Sequence, residues 1–331
     1  MNQTIETLLT TLKIQPVLVD IGASGAPPPQ WAAIARHSIY VGFDPDRREL
    51  HDVPSGQYAR SIIVNEAVTN TLEPCNIHFY LTRSPYCSST LLPDKSSLAN
   101  YLFSDLFVVE AEVSVRATSL NAVIDGLHLP GVHWFKADSQ GMDLRLFQSL
   151  RSDLREKVLA VDIEPGLVDA YRGEDLFIDV HRELQQQGFW LSTLNVEGTV
   201  RLRRSTFDVV ARNHPELTEK HVHKTVRPSP VWCTARYLRT IESLDARAAE
   251  PWEYALLWVF TLVERQIGFA LDVALAYEQR FGEDSLSLFL RNVPLQELDR
   301  KHATSPWRSI ARRVIPKSLR RQIKQVLYNE S

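Results

Sequence analysis

Short apolar runs alternate with longer amphipathic stretches along most of this chain. Positions 17–21, Val-Leu-Val-Asp-Ile, are apolar except for one acid, as expected of a strand covered on both faces. Positions 30–37 place Trp31, Ile34 and Ala35 on one helical face. Strand-like runs recur at 38–43, 61–64, 133–138 and 158–163. A helix after position 138 carries Leu144, Phe147 and Leu150. A second, at 176–187, turns Phe177, Val180 and Leu184 inward and stops at Gly188. Segments 189–196 and 199–203 flank Glu197-Gly198, a hairpin signal. Strands alternating with helices predict a parallel sheet, and the hairpin adds an antiparallel edge pair. Segment 72–121 departs from this rhythm. Its strand-like pieces at 77–81 and 112–117 flank a Ser/Pro-rich stretch, which predicts an insertion at the sheet edge.

Beyond about position 212 the pattern reads as helical, over 231–244 and 251–281, the latter opening on Pro251. The expected division is a domain at 1–210, a helical appendage at 211–299 and a basic amphipathic tail at 300–331. Segment 254–277 is apolar enough to suggest a membrane span, but it contains Glu264, Arg265 and Asp272. A charge at the centre of a spanning helix costs roughly 2.5–3.5 kcal/mol, so a buried soluble helix is expected.

Composition changes this picture in two places. Three widely spaced cysteines, Cys75, Cys87 and Cys233, exclude a disulfide framework and a four-cysteine zinc site. The first residues lack the basic start and apolar run of a secretory leader, so the expected setting is the cytoplasm. Charge is uneven: positions 300–328 hold nine Lys/Arg and no acid, and removing them from a net −3 leaves −12. The stretch 308–328 interleaves those cations with Ile310, Val314, Leu319, Ile323 and Leu327. Such a pattern suits the inner face of an anionic membrane or docking onto the acidic remainder. Nucleic acid is not expected, because no recognised module accompanies the charges.

The candidate chemistry centres on Asp20-Ile21-Gly22-Ala23-Ser24-Gly25 at the end of the first strand. Glycines there let backbone turn tightly and approach a ligand at the carboxyl edge of a parallel sheet. The Gly-x-Gly-x-x-Gly dinucleotide fingerprint is missing, and Pro27, Pro28 and Pro29 occupy the place where a pyrophosphate would want N–H donors. Asp44, followed by Pro45, ends the second strand and can accept from two ribose hydroxyls. A ribose without phosphates, plus an amino-acid tail for Asp20 and the loop amides, describes S-adenosylmethionine.

Three blocks carry a resemblance: 19–25, Gly42-Phe43-Asp44-Pro45, and most specifically Phe135-Lys136-Ala137-Asp138-Ser139-Gln140-Gly141-Met142-Asp143-Leu144. They resemble the FkbM-type S-adenosylmethionine-dependent methyltransferases over roughly 17–194. Asp143 stands where that family usually has Glu, and Ala137 where it has a branched residue. The resemblance implies an α/β, Rossmann-like class I methyltransferase fold with a mostly parallel sheet, and an O-methyltransferase acting on hydroxyls of sugars or natural products. Sugar hydroxyls would place it in surface glycan or natural-product biosynthesis, with a glycan or small molecule as acceptor.

Asp138 ends a strand beside the cofactor crevice and is the candidate base or acceptor-orienting acid. Lys136 is its candidate electrostatic partner, and Gln140 forms the turn beside it. A metal is possible at Asp138, Asp162 and Glu164 but is not favoured, since hard cations need several convergent oxygens. The loop Pro85-Tyr86-Cys87-Ser88-Ser89-Thr90 is a candidate wall for the acceptor. His128, His133 and His181 read as ordinary histidines, and His214, His221 and His223 as linker residues. Two rivals stand: a glycosyltransferase using Asp44-Pro45-Asp46 as a metal and sugar-nucleotide motif, and a non-catalytic scaffold.

Overall fold

A computed structural model describes residues 2–46, 56–71 and 75–303. Ten strands are described: β1 (Val17–Ile21), β2 (Ile39–Phe43), β3 (Arg60–Val64), β4 (Ala67–Thr69), β5 (Cys75–Thr82), β6 (Val109–Ser119), β7 (Trp134–Ala137), β8 (Ala160–Ile163), β9 (Phe189–Thr199) and β10 (Ser229–Arg239). Seven form one sheet in the order β3-β2-β1-β7-β8-β10-β9. All neighbours from β3 to β8 are parallel, and β10 runs antiparallel to both β8 and β9. This is the Rossmann-like, mostly parallel α/β arrangement expected, with C-terminal helices. The strand order reverses beside β1, and ligands bind at such switch points.

Alternation within each strand sends side chains to two layers. Val17, Val19 and Ile21 of β1 join a core with Leu120, Ile124, Phe147, Val180 and Leu184, from the helices of one face. The opposite layer holds Trp31, Trp134 and Phe260, with ring centroids 5.9 Å and 4.8 Å apart in sequence. Phe260 belongs to the helix Pro251–Val263, whose first turn is closed by the Glu253 side chain accepting the Glu250 N–H at 2.8 Å. That helix is buried nearly all round, which accounts for its membrane-like composition. Among the described residues no helix is long and apolar enough to cross a membrane.

Three expectations are corrected. The Glu197-Gly198 pair is no hairpin turn: β9 runs straight through it, and its partner is β10, reached by way of the helices Arg204–Asn213 and Glu219–Thr225. Gly198 is a close-approach glycine, since a Cβ there would lie 2.0 Å from the Ser229 carbonyl oxygen. Segment 231–244 is mainly strand rather than helix. Val231, Cys233, Ala235 and Tyr237 are buried while Trp232, Thr234 and Arg236 between them are partly exposed, the period-two signature of a strand. The helical stretch 251–281 is two helices, Pro251–Val263 and Ile267–Phe281, separated at Arg265, whose φ is 58°.

The expected insertion exists: β4, β5 and β6 form a separate small sheet in the order β4-β6-β5. Two compact units divide the chain, Met1–Gln266 and a second beginning at Ile267. β10 carries the main sheet past position 210. In the second unit Arg291 pairs with Glu278 at 2.9 Å. The basic stretch 308–328 lies outside the described residues.

Candidate active site

Four strands place a row of alternating charge across the buried face of the sheet. Asp20 stands in register with Lys136, Lys136 with Asp162, and Asp162 with Arg236. Lys136 Nζ reaches Asp20 Oδ1 at 2.7 Å, and Arg236 Nε reaches Asp162 Oδ2 at 3.1 Å. Tyr40 donates its hydroxyl to Asp20 Oδ2 at 3.0 Å. Gly42 makes room for this: a Cβ there would meet the Tyr40 ring at 2.8 Å. Burial lowers the Lys136 pKa, but Asp20 and Asp138 outweigh it and hold the ammonium above its ordinary value.

This row changes the roles expected of Asp20 and Lys136. Asp20 is 2% exposed, and its carboxylate is committed to Lys136 and Tyr40 beneath the cleft. Lys136 pairs with Asp20, its cross-strand neighbour, and influences Asp138 only through space. Asp162, a metal candidate, accepts from Arg236 and from Gln30 Nε2 at 3.1 Å within the row. Among the described residues no three His, Cys, Asp or Glu side chains converge as a metal site.

Above the row, at the carboxyl ends of β1, β2 and β7, lies a first cleft. Gly22, Ser24, Asp44, Pro45, Asp138 and Gln140 line it, with Phe43, Val68, Phe79 and Met142 supplying apolar wall. Gly22 has φ 77°, and a Cβ on it would lie 2.2 Å from the Asp138 carbonyl oxygen. Only glycine lets the β1 loop pass this close to the β7 end. Ala23 is buried and Gly25, with φ 79°, takes the turn; neither lines the cleft. Asp44 Oδ1 accepts the Asp46 N–H at 2.8 Å, closing a turn, and Asn65 binds the Asp44 carbonyl at 2.7 Å. Burial raises the Asp44 carboxyl to about 6, partly opposed by the Asp46 N–H.

The turn after β7 is tied at many points. Gln140, at φ 58°, donates from Nε2 to Asp138 Oδ1 at 2.5 Å and accepts the Tyr171 hydroxyl at 2.9 Å. Ser89 donates to the Gln140 carbonyl at 2.7 Å. Asp143 accepts from Ser139 N–H at 2.8 Å and from Glu164 N–H at 2.9 Å, so the shorter acid at this position binds the β7 and β8 ends together. Burial raises Asp138 to about 6, against the pull of Lys136.

A second cleft, of about 380 Å³, opens on the other side of this turn, within the size range of small-molecule sites. Its walls are Phe103, Phe107, Tyr171 and Trp232, and its acids are Asp138, Glu164 and Glu174. Asp138, Gln140 and Tyr86 line both clefts. The loop 85–90 thus serves both: Pro85, Ser88 and Thr90 face the first, Cys87 the second.

None of the described histidines lines either cleft. His133 Nδ1 accepts the Val17 N–H at 2.8 Å, and burial, reinforced by Lys157, lowers its pKa to about 4. His181 Nδ1 lies 3.2 Å from the Tyr237 hydroxyl. Sequence reasoning missed Trp232, Phe103 and Glu174. The first falls in the segment 231–244, whose sequence predicts a helix, and the others carry no local signature.

The donor set fits an adenosine without phosphates: a carboxylate at the second strand end, glycine backbone at the first, and apolar wall between. Residues 22–191 match the family model of the methyltransferase FkbM domain. No curated protein and no solved structure gives a match.

Proposed function

The chain belongs to the FkbM methyltransferase domain family and is a methyltransferase, and from this premise we propose that it methylates a hydroxyl of a glycan or small-molecule acceptor using S-adenosylmethionine. The observation that carries this reading is that two clefts meet at Asp138 and Gln140, one lined by the Asp44 carboxyl at the end of β2 and the other walled by aromatic side chains. Family membership sets aside the glycosyltransferase reading of Asp44-Pro45-Asp46; the Asp44 carboxylate closes a turn on Asp46 there. It sets aside the non-catalytic scaffold as well.

When bound, the cofactor supplies an electrophilic methyl group. Asp44 would hold the ribose, and the backbone at Gly22 and Ser24 would lie along the amino-acid portion. Asp138 is anchored by Gln140, which is itself fixed by Tyr171 and Ser89. Asp138 thus suits orientation of the acceptor oxygen, and positioning supplies much of the rate in such a displacement. A glycan acceptor agrees with the cation-rich stretch 308–328, which suits work beside an anionic surface.

Calorimetric titration with S-adenosylmethionine and S-adenosylhomocysteine tests the cofactor reading. The parent protein binds both, and Asp44→Ala weakens binding by about ten- to a hundredfold, the worth of a charged hydrogen bond. No binding by the folded parent would sink the proposal. Transfer of labelled methyl to a panel of methyl glycosides and simple alcohols then addresses the acceptor.

A further inference from the structure

The three acids of the second cleft are in different states of engagement. Asp138 accepts from Gln140. Glu174 accepts the backbone N–H groups of Ala170 and Tyr171. Glu164 is fixed only through its backbone, whose N–H is held by Asp143 at 2.9 Å. Its carboxyl takes no hydrogen bond from any described residue, and it lines the cleft together with Asp138. A rigid backbone and an uncommitted carboxyl next to the junction of the two clefts is the geometry a proton acceptor needs.

We propose that Glu164 is the catalytic base, taking the proton of the acceptor hydroxyl as its oxygen takes the methyl group. This rests on the two-cleft reading above. The acceptor O–H bond breaks and its proton passes to the Glu164 carboxylate. The freed oxygen pair forms the new O–CH3 bond. The S–CH3 bond breaks with its electron pair remaining on sulfur, and Glu164 afterwards returns the proton to solvent.

Basicity favours Glu164 over Asp138. Burial, reinforced by Asp138, raises the Glu164 carboxyl to about 8, partly opposed by Lys136, while Asp138 rises only to about 6. The groups acting on Glu164 are Lys136 and Asp138 from β7 and its end, Asp143 from the following helix, and Asp162 from β8. Burial raises the Cys233 thiol of β10 to about 11, and Glu164 adds to that rise. A base of this kind must be ionised at the right moment. The methyl donor carries a sulfonium charge and its by-product does not, and a nearby positive charge stabilises a carboxylate. Donor binding should therefore expel a proton from Glu164, whereas by-product binding should not.

Calorimetry at pH 7.5 in two buffers of different ionisation enthalpy reads that proton directly, without any acceptor. The parent is expected to release about half a proton or more with S-adenosylmethionine, and little with S-adenosylhomocysteine. Glu164→Gln should bind both within about threefold of the parent and lose the donor-specific release, while Glu164→Asp should keep it. At this pH Asp44 and Asp138, both near 6, are already largely ionised, and so is most of Glu174, near 7. Equal release with both ligands by the parent overturns the proposal, and that comparison needs no variant. Undiminished release by Glu164→Gln overturns it too. A folded parent that binds neither ligand fails the function reading itself, and this inference falls with it. On a hydroxyl acceptor, Glu164→Gln should lower kcat about 10²–10⁴-fold with KM little changed; an unchanged kcat refutes the assignment.

Discussion

Single residues divide here between those that shape the site and those that would touch ligand. Gly22 shapes it, since both its positive φ and the Asp138 carbonyl forbid a side chain. Gly22→Ala should lose at least about 2 kcal/mol of stability, read by urea unfolding, and should lose cofactor binding in the same sample. Lys136 is a positioning residue: its ammonium lies 2.7 Å from an Asp20 carboxylate that is almost wholly buried. Lys136→Met strands that charge and should cost about 3–5 kcal/mol. Adding Asp20→Asn should return most of the loss, because the stranded charge disappears. A double variant as unstable as the single would show that Lys136 acts through its packing instead. Asp44, Asp138 and Gln140 were legible as residues at the cleft because each sits at or just past a strand end beside a turn signal. The pairing of Lys136 was not legible, because Asp20 lies 116 positions away and only strand register makes them neighbours.

Among the elements, β10 matters most. It sits between β8 and β9, so both of its edges are paired. A chain ended at position 228 would leave β8 with an open edge and β9 without a partner. It should fail to unfold cooperatively, as followed by circular dichroism in denaturant; a sharp transition would show the sheet complete without β10. The strand was visible in the alternation of Val231, Cys233, Ala235 and Tyr237. The expected helix 231–244 merged it with the short helix Ile241–Ala246 that follows. Glu197-Gly198 misled for a different reason: a glycine admits a close backbone neighbour as readily as a turn, and the sequence does not say which.

Across the whole molecule, the buried acids make stability depend on pH in a definite direction. Asp44 and Asp138 titrate near 6, Glu174 near 7 and Glu164 near 8, all above the ordinary carboxylate range. The folded protein therefore holds more protons than the unfolded chain between about pH 4 and 8. The stabilising contribution of these groups is full below about 4 and is lost as pH rises through the folded values. His133 works oppositely, between about pH 4 and 6.5, because it is buried neutral. Thermal unfolding should thus show Glu164→Gln gaining on the parent from pH 6 to pH 9. A constant difference across that range would mean that Glu164 titrates normally. Charge gives a second expectation at this scale. The full chain should sediment with anionic vesicles and not neutral ones, and removal of 304–331 should abolish this while leaving cofactor binding intact.

The sequence by itself determined the strand–helix alternation, the glycine loop, the acid ending β2 and the turn after β7. Each is a local pattern of neighbouring residues, and together they carried the family resemblance and the fold class. Tertiary structure alone decided the rest. Strand register assembled Asp20, Lys136, Asp162 and Arg236 into one buried row, taking two expected site residues out of the clefts. The approach of the β8 end and of Trp232 to the turn after β7 made the second cleft and left Glu164 uncommitted within it. Those contacts join segments far apart along the chain, and their geometry follows from how the strands stack rather than from any residue's neighbours.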